Sequence, residues 1–164
     1  SMPTRSRRKT HPRIRRAARI AVQIACAASG APVAARLRVF ARAAATAAAE
    51  VTLRIVGTAE GRRLNQAYRG RDHATNVLTF RFPRTAPQAP RAPHRGDIIL
   101  CHPVIAREAR AQGKTIEAHY AHLVVHGVLH LRGYDHERAR DAMRMERLET
   151  AILGRLGYPD PYAG

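Results

Sequence analysis

The sequence predicts one α/β domain: a single layered unit with a mixed four-stranded sheet packed by about five helices. Three observations lead there. Short apolar runs at 20–26, 51–55, 76–82 and 96–101 have the length and period of strands. Segments of helical spacing alternate with the first of these runs and then follow the last. The chain has 164 residues and 45% hydrophobic content, enough for one sizeable core.

Taken in order, Ile20, Val22, Ile24 and Cys26 alternate with Ala21, Gln23 and Ala25 before the Ser29-Gly30 break, the pattern of a half-buried strand. Pro32 to Glu50 is rich in Ala and carries Val33, Leu37, Phe40, Ala41 and Ala44 at helical spacing, so a helix packed on the sheet is expected. Val51, Leu53 and Ile55 resume alternation. Thr58 is expected to cap a helix running to about Arg69, with Leu64, Ala67 and Tyr68 as its inner face. Asn76 to Phe82 reads as the third strand, Pro83 to Arg95 as an extended proline-rich loop, and Gly96 to Cys101 as a short buried strand. Pro103 opens a helix that Gly113 stops, and Thr115 caps the next one. Ala142, Met145, Leu148, Ile152 and Leu156 form the face of a last helix, ended near Gly157 and Pro159.

Charge is the unusual feature of the composition. Lys and Arg number 29 against 12 Asp and Glu, a formal +17, which points to polyanionic partners and to nucleic acid first. Much of the excess lies in residues 1–19, a stretch with no acid and no apolar periodicity. This arm is expected to be disordered when free, with the folded domain spanning 20–164. No run is long enough to span a membrane, and no signal-type apolar run follows the basic residues. Cys26 and Cys101 form no C-x-x-C pair, so a reducing cytoplasm is the expected location.

One segment carries metal chemistry. In His126-Gly127-Val128-Leu129-His130-Leu131-Arg132-Gly133-Tyr134-Asp135-His136, three imidazoles stand at positions 0, +4 and +10. On a helix the first two share a face, and a glycine at 133 can end the helix and fold His136 back, so the three can hold one zinc ion and leave a coordination position open. The site would therefore lie on a late helix and the loop after it. The spacing is that of the H-E-x-x-H zinc peptidases, yet Gly127 stands where their general base would be, which disfavours peptide hydrolysis. His122 is the rival ligand. It lies a turn earlier, but a straight helix turns His122, His126 and His130 progressively apart, so His119 and His122 read as packing or supporting residues.

A second unusual segment, residues 64–80, gathers Arg69, Arg71, Asp72, His73, Thr75 and Asn76 at a helix-to-strand connection that can line a cleft. Arg69 and Arg71 offer planar donors suited to phosphate, and Thr75 and Asn76 can hydrogen-bond backbone or substrate. Asp97 at a strand start and Asp135 beside His136 are candidates for supporting the metal ligands or moving protons.

These segments, with Gly96-Asp97-Ile98 and Gly157-Tyr158-Pro159-Asp160-Pro161-Tyr162, resemble the bacterial YbeY family from about Val51 to Tyr162 and more weakly from Ile20. The resemblance implies a zinc-dependent, single-strand-specific endoribonuclease of rRNA maturation, acting on the 16S rRNA 3′ end and in ribosome quality control. It implies His126, His130 and His136 as ligands of one Zn2+ and Arg69 as the catalytic-cleft arginine. Partners implied are single-stranded RNA, rRNA, the small ribosomal subunit and ribosome-assembly proteins. The competing readings are a non-catalytic zinc-containing assembly factor that binds rRNA and, behind it, a zinc peptidase.

Overall fold

In a computed structural model of the chain, residues 17–82, 94–134 and 137–163 are described. The elements are β1 (Arg19–Ile24), α1 (Ala34–Ala44), β2 (Glu50–Val56), α2 (Thr58–Arg69), β3 (Val77–Arg81), β4 (Arg95–Cys101), α3 (His102–Ala111), α4 (Ile116–Leu131) and α5 (Ala139–Leu156). Their order matches the alternation read from the sequence. Most of the basic arm, the loop from 83 to 93, Asp135 and His136 lie outside the described residues.

The strands form one sheet in the order β1-β2-β4-β3. β1, β2 and β4 are parallel, with Ile20 opposite Val51 and Leu53 opposite Ile98. β3 runs antiparallel along β4, Leu78 opposite Ile99 and Phe80 opposite Asp97. The sheet is therefore mixed, as expected.

Because side chains alternate along a strand, each face of the sheet has its own apolar set. Val51, Leu53 and Ile55 with Ile98 and Leu100 meet Leu37 and Phe40 of α1, the core side of α4, and Ile152 and Leu153 of α5. Val56, Leu78, Ile99 and Cys101 form a smaller cluster with Val104 of α3 and Leu64 of α2 on the opposite face. Helix α4 is the centre of the larger core. From His119 to Leu131 every residue is buried except three.

Four local expectations change. The Ala-rich helix ends at Ala44 rather than near Glu50: Ala45 is already extended, and Ala48 has φ +67°. Helix propensity there yields to the turn that must deliver buried Ala49 and then β2. The cap of α2 is Gly57, whose carbonyl accepts the Gly61 N–H at 3.0 Å, so Thr58 is the first helical residue and not the cap. The inner face of α2 is also shifted, to Gly61 and Asn65, while Ala67 and Tyr68 are exposed. Asn65 tolerates burial because its amide donates to the His73 carbonyl at 2.6 Å. Finally, β1 begins at Arg19, so the arm's last residue is already strand.

A buried polar bridge ties the start of α3 to the loop before α1. His102 Nε2 lies 3.0 Å from the Ser29 carbonyl, which can only accept, so Nδ1 accepts the Tyr120 hydroxyl at 2.7 Å. Tyr120→Phe should leave that ring nitrogen buried without its donor. Chemical denaturation is expected to show a loss of about 1–3 kcal/mol, with the same transition cooperativity.

Candidate metal centre

Helix α4 starts where the sequence says. The Thr115 hydroxyl accepts the Ala118 N–H at 3.1 Å, and Glu117 sits in the first turn, where a negative charge favours the helix dipole. At the other end Gly133 has φ +99°, which turns the chain back after Leu131. From His119 to Leu131 the three residues that escape full burial are His122, His126 and His130. Their i, i+4 spacing makes them one stripe along an otherwise enclosed helix.

The helix lies close on the sheet at residue 127. A Cβ at Gly127 would stand 3.0 Å from Ile98 Cδ1, so this position faces β4 and serves packing. The missing peptidase glutamate is thus replaced by a residue that lets helix and strand approach.

The stripe narrows toward its C-terminal end: ring centroids are 6.1 Å apart for His122 and His126 but 4.6 Å for His126 and His130. A carboxylate bridges the wider pair. Glu149 of α5 is completely buried, with Oε1 2.5 Å from His126 Nδ1 and Oε2 3.1 Å from His122 Nε2. The Tyr162 hydroxyl donates to the same Oε2. Burial alone would raise the Glu149 carboxyl, but the hydrogen bonds from His122, His126 and Tyr162 outweigh it and hold the group down at about 2. Burial and the neighbouring carboxylate push the Tyr162 hydroxyl up, so it remains a donor.

Since an ionised carboxylate only accepts, His126 donates through Nδ1 and its Nε2 carries a lone pair. That Nε2 is 3.1 Å from His130 Nε2. Two imidazole nitrogens face each other at such a distance only with a proton or a cation between them. The spacing is close to the roughly 3.3 Å edge of a tetrahedron built with zinc–nitrogen bonds of about 2.0–2.1 Å. The donor set therefore suits a metal. His122, His126 and Glu149 also form a group whose donor atoms lie within 4.8 Å of one another and could hold a metal.

Of the other residues singled out in the sequence, Arg69 is exposed at the C-terminal end of α2, across the sheet from α4. Edge strand β3 lies between the two helix ends: Tyr68 packs on Phe80 with centroids 4.7 Å apart, and Arg81 Nη2 donates to the His130 carbonyl at 2.5 Å. Arg71 is exposed and Thr75 half-buried. The Asn76 amide is engaged within the fold, donating to Glu108 at 2.9 Å and accepting the Val77 N–H at 2.7 Å. Glu108 also meets buried His119 at 3.0 Å, so His119 is a packing residue held by a carboxylate. Asp97 lies on the α2 face with Ile99 and Cys101, not on the histidine face, and burial raises its carboxyl.

Sequence reasoning missed Glu149 as part of the site. The signal was present: it lies four residues after Met145 and three before Ile152, a charge on the inner face of an amphipathic helix. Its titration has a readable consequence. A folded-state value depressed from 4.5 to about 2 contributes stability that is complete above pH 4.5 and is lost as pH falls toward 2. With a chelator present, wild type should lose more unfolding free energy across that window than Glu149→Gln, as denaturant titrations at stepped pH will show.

Comparison with known proteins identifies the family. The family model described as Endoribonuclease YbeY matches residues 24–157. A relative from Aromatoleum aromaticum, named Endoribonuclease YbeY, is 56% identical over 132 residues, covering 80% of this chain and 82% of its own. Another of that name from Bordetella petrii is 63% identical over 117 residues, 71% of this chain and 73% of its own. Among solved structures, the solution structure of TM1509 from Thermotoga maritima is 26% identical with a TM-score of 0.47, covering 87% of this chain and 99% of that one. A match across most of the chain, with relatives above half identity, places this protein in the YbeY endoribonuclease family.

Proposed function

We propose that the chain is a zinc-dependent endoribonuclease specific for single-stranded RNA, acting in maturation of the 16S rRNA 3′ end and in ribosome quality control. The observation that carries the metal assignment is the facing pair of Nε2 atoms on His126 and His130, one of them oriented by a buried carboxylate. His136, three residues beyond Gly133, would supply the third ligand. Bound there, zinc would act as a Lewis acid toward a phosphate oxygen or lower the pKa of a water.

The protein's own contribution is placement and charge. Once the proton shared between their Nε2 atoms is displaced, His126 and His130 present nitrogen lone pairs from a rigid, enclosed helix, so little backbone reorganisation is needed on binding. Arg69 offers a guanidinium whose planar fork can pair with two phosphate oxygens, neutralising charge that develops on phosphorus. Strand β3 separates Arg69 from the histidines, and an RNA strand crossing that edge would meet both. Arg71 and Thr75 flank the crossing, and Asn76 shapes the connection from within. Asp135 is adjacent to the third ligand and suited to a proton or a supporting hydrogen bond, while Asp97 would act from the α2 side of the edge. The formal +17 supplies affinity for rRNA and the small ribosomal subunit, with assembly proteins as further partners and the cytoplasm as the site of action.

Metal analysis should find close to one zinc per chain, lost in His126→Ala, His130→Ala and His136→Ala. Wild-type occupancy in all three variants would remove the assignment. Arg69→Ala should retain zinc and lower single-turnover cleavage of labelled single-stranded RNA by about 10²- to 10³-fold, the usual cost of one positioned donor. Arg69→Lys should bind RNA almost normally and recover part of that loss. Equal rates in the three proteins at saturating RNA would make Arg69 a surface residue. RNA affinity should also fall steeply with salt, and deleting residues 1–16, which spares β1, should flatten the slope by roughly 0.7 for each phosphate that the arm neutralises.

A further inference from the structure

The Glu149 carboxylate is fully enclosed, and its two oxygens accept from His126 Nδ1, His122 Nε2 and the Tyr162 hydroxyl. A buried charge is retained only where its hydrogen bonds compensate the lost hydration, and here the donors come from α4 and from the tail after α5. The arrangement also has a direction. Accepting at His126 Nδ1 places the ring proton there and turns the opposite nitrogen toward His130 Nε2, 3.1 Å away. A metal bound directly by Glu149 would have to compete with three donors already on the carboxylate.

We propose that Glu149, clamped by the Tyr162 hydroxyl, is the positioning residue of the histidine site: it holds His126 as the Nδ1–H tautomer and aims Nε2 at the metal position. This rests on the reading of His126 and His130 as metal ligands. It assigns Glu149 to the shell that orients a ligand, where loss of a partner typically weakens metal binding about 10- to 100-fold. Tyr162 acts on Glu149 and, through it, on His126. His122 donates to the same carboxylate and supports it from the turn before.

The test uses the full chain and four variants: Glu149→Gln, Tyr162→Phe, His126→Ala and His130→Ala. Imidazole ¹⁵N shifts in zinc-free protein report the His126 tautomer, and competition with a chromophoric chelator reports zinc affinity. Wild type should show His126 protonated at Nδ1. Glu149→Gln replaces one acceptor oxygen by an NH₂ donor and removes the charge. It should shift the tautomer balance and loosen zinc by about 10- to 100-fold while still binding one equivalent. The visible bands of bound Co²⁺ should change in intensity, which altered packing elsewhere would not cause. Tyr162→Phe should move zinc affinity in the same direction by less.

Unchanged tautomer and zinc affinity in Glu149→Gln overturns the proposal. So does complete loss of zinc in Glu149→Gln alongside normal binding in His130→Ala, because Glu149 would then be a ligand in the group with His122 and His126. Should Glu149→Gln fail to fold, Tyr162→Phe decides: wild-type zinc affinity there counts against the clamp. If His126→Ala and His130→Ala both bind zinc normally, the ligand assignment fails. The ¹⁵N measurement on zinc-free protein still decides whether Glu149 sets the tautomer.

Discussion

Burial of helix α4 is the constraint on which the molecule is organised. A helix apolar on nearly every side is stable only when other elements enclose it, and here β4 and β3 lie beneath it, α1 and α5 beside it and α3 at its start. Enclosure leaves one stripe, and that stripe is histidine. The imidazoles are therefore held by the same packing that makes the core, and their orientation depends on side chains reaching them from other elements. Gly127 shows how tight this packing is, since even a methyl group there would press on Ile98.

A polar shell follows from that enclosure. His119 is buried and His122 and His126 are largely so, and each is met by a carboxylate: His119 by Glu108, and His122 and His126 by Glu149. Each carboxylate in turn carries a second tie, Glu108 to Asn76 and Glu149 to Tyr162. The two ties anchor different segments, the α2-to-β3 connection and the chain after α5. The carboxylates that meet one helix thereby hold two segments distant in sequence.

Most of the fold was legible because its signals are local. Thr115, the i, i+4 histidines and Gly133 define α4 within twenty residues, and alternation at 51–55 and 96–101 marks the central strands. What could not be read is what arrives from a distance. Tyr68 has the spacing of an inner residue, yet α2 packs through Gly61 and Asn65 because Asn65 finds the His73 carbonyl. The alanines after Ala44 favour helix, and the turn into β2 overrides them. Asp97 looks well placed beside an apolar strand, but register sends it to the face opposite the histidines. Glu149 was visible as a charge on an apolar face, and only the packing of α5 on α4 tells what it meets.

The order of elements along the chain also has a bearing on biosynthesis. The sheet, α1 and α4 are all synthesised before α5, so a nascent chain holds the histidine helix with one flank uncovered and no carboxylate beside His126. Domains fold as units while the ribosome adds about 5–20 residues per second, and exposed apolar surface is the hazard of the interval. Here that interval ends only when α5 emerges and docks. Acquisition of the core and orientation of His126 are thus one late event, so a chain stalled before α5 is both sticky and without an ordered histidine pair.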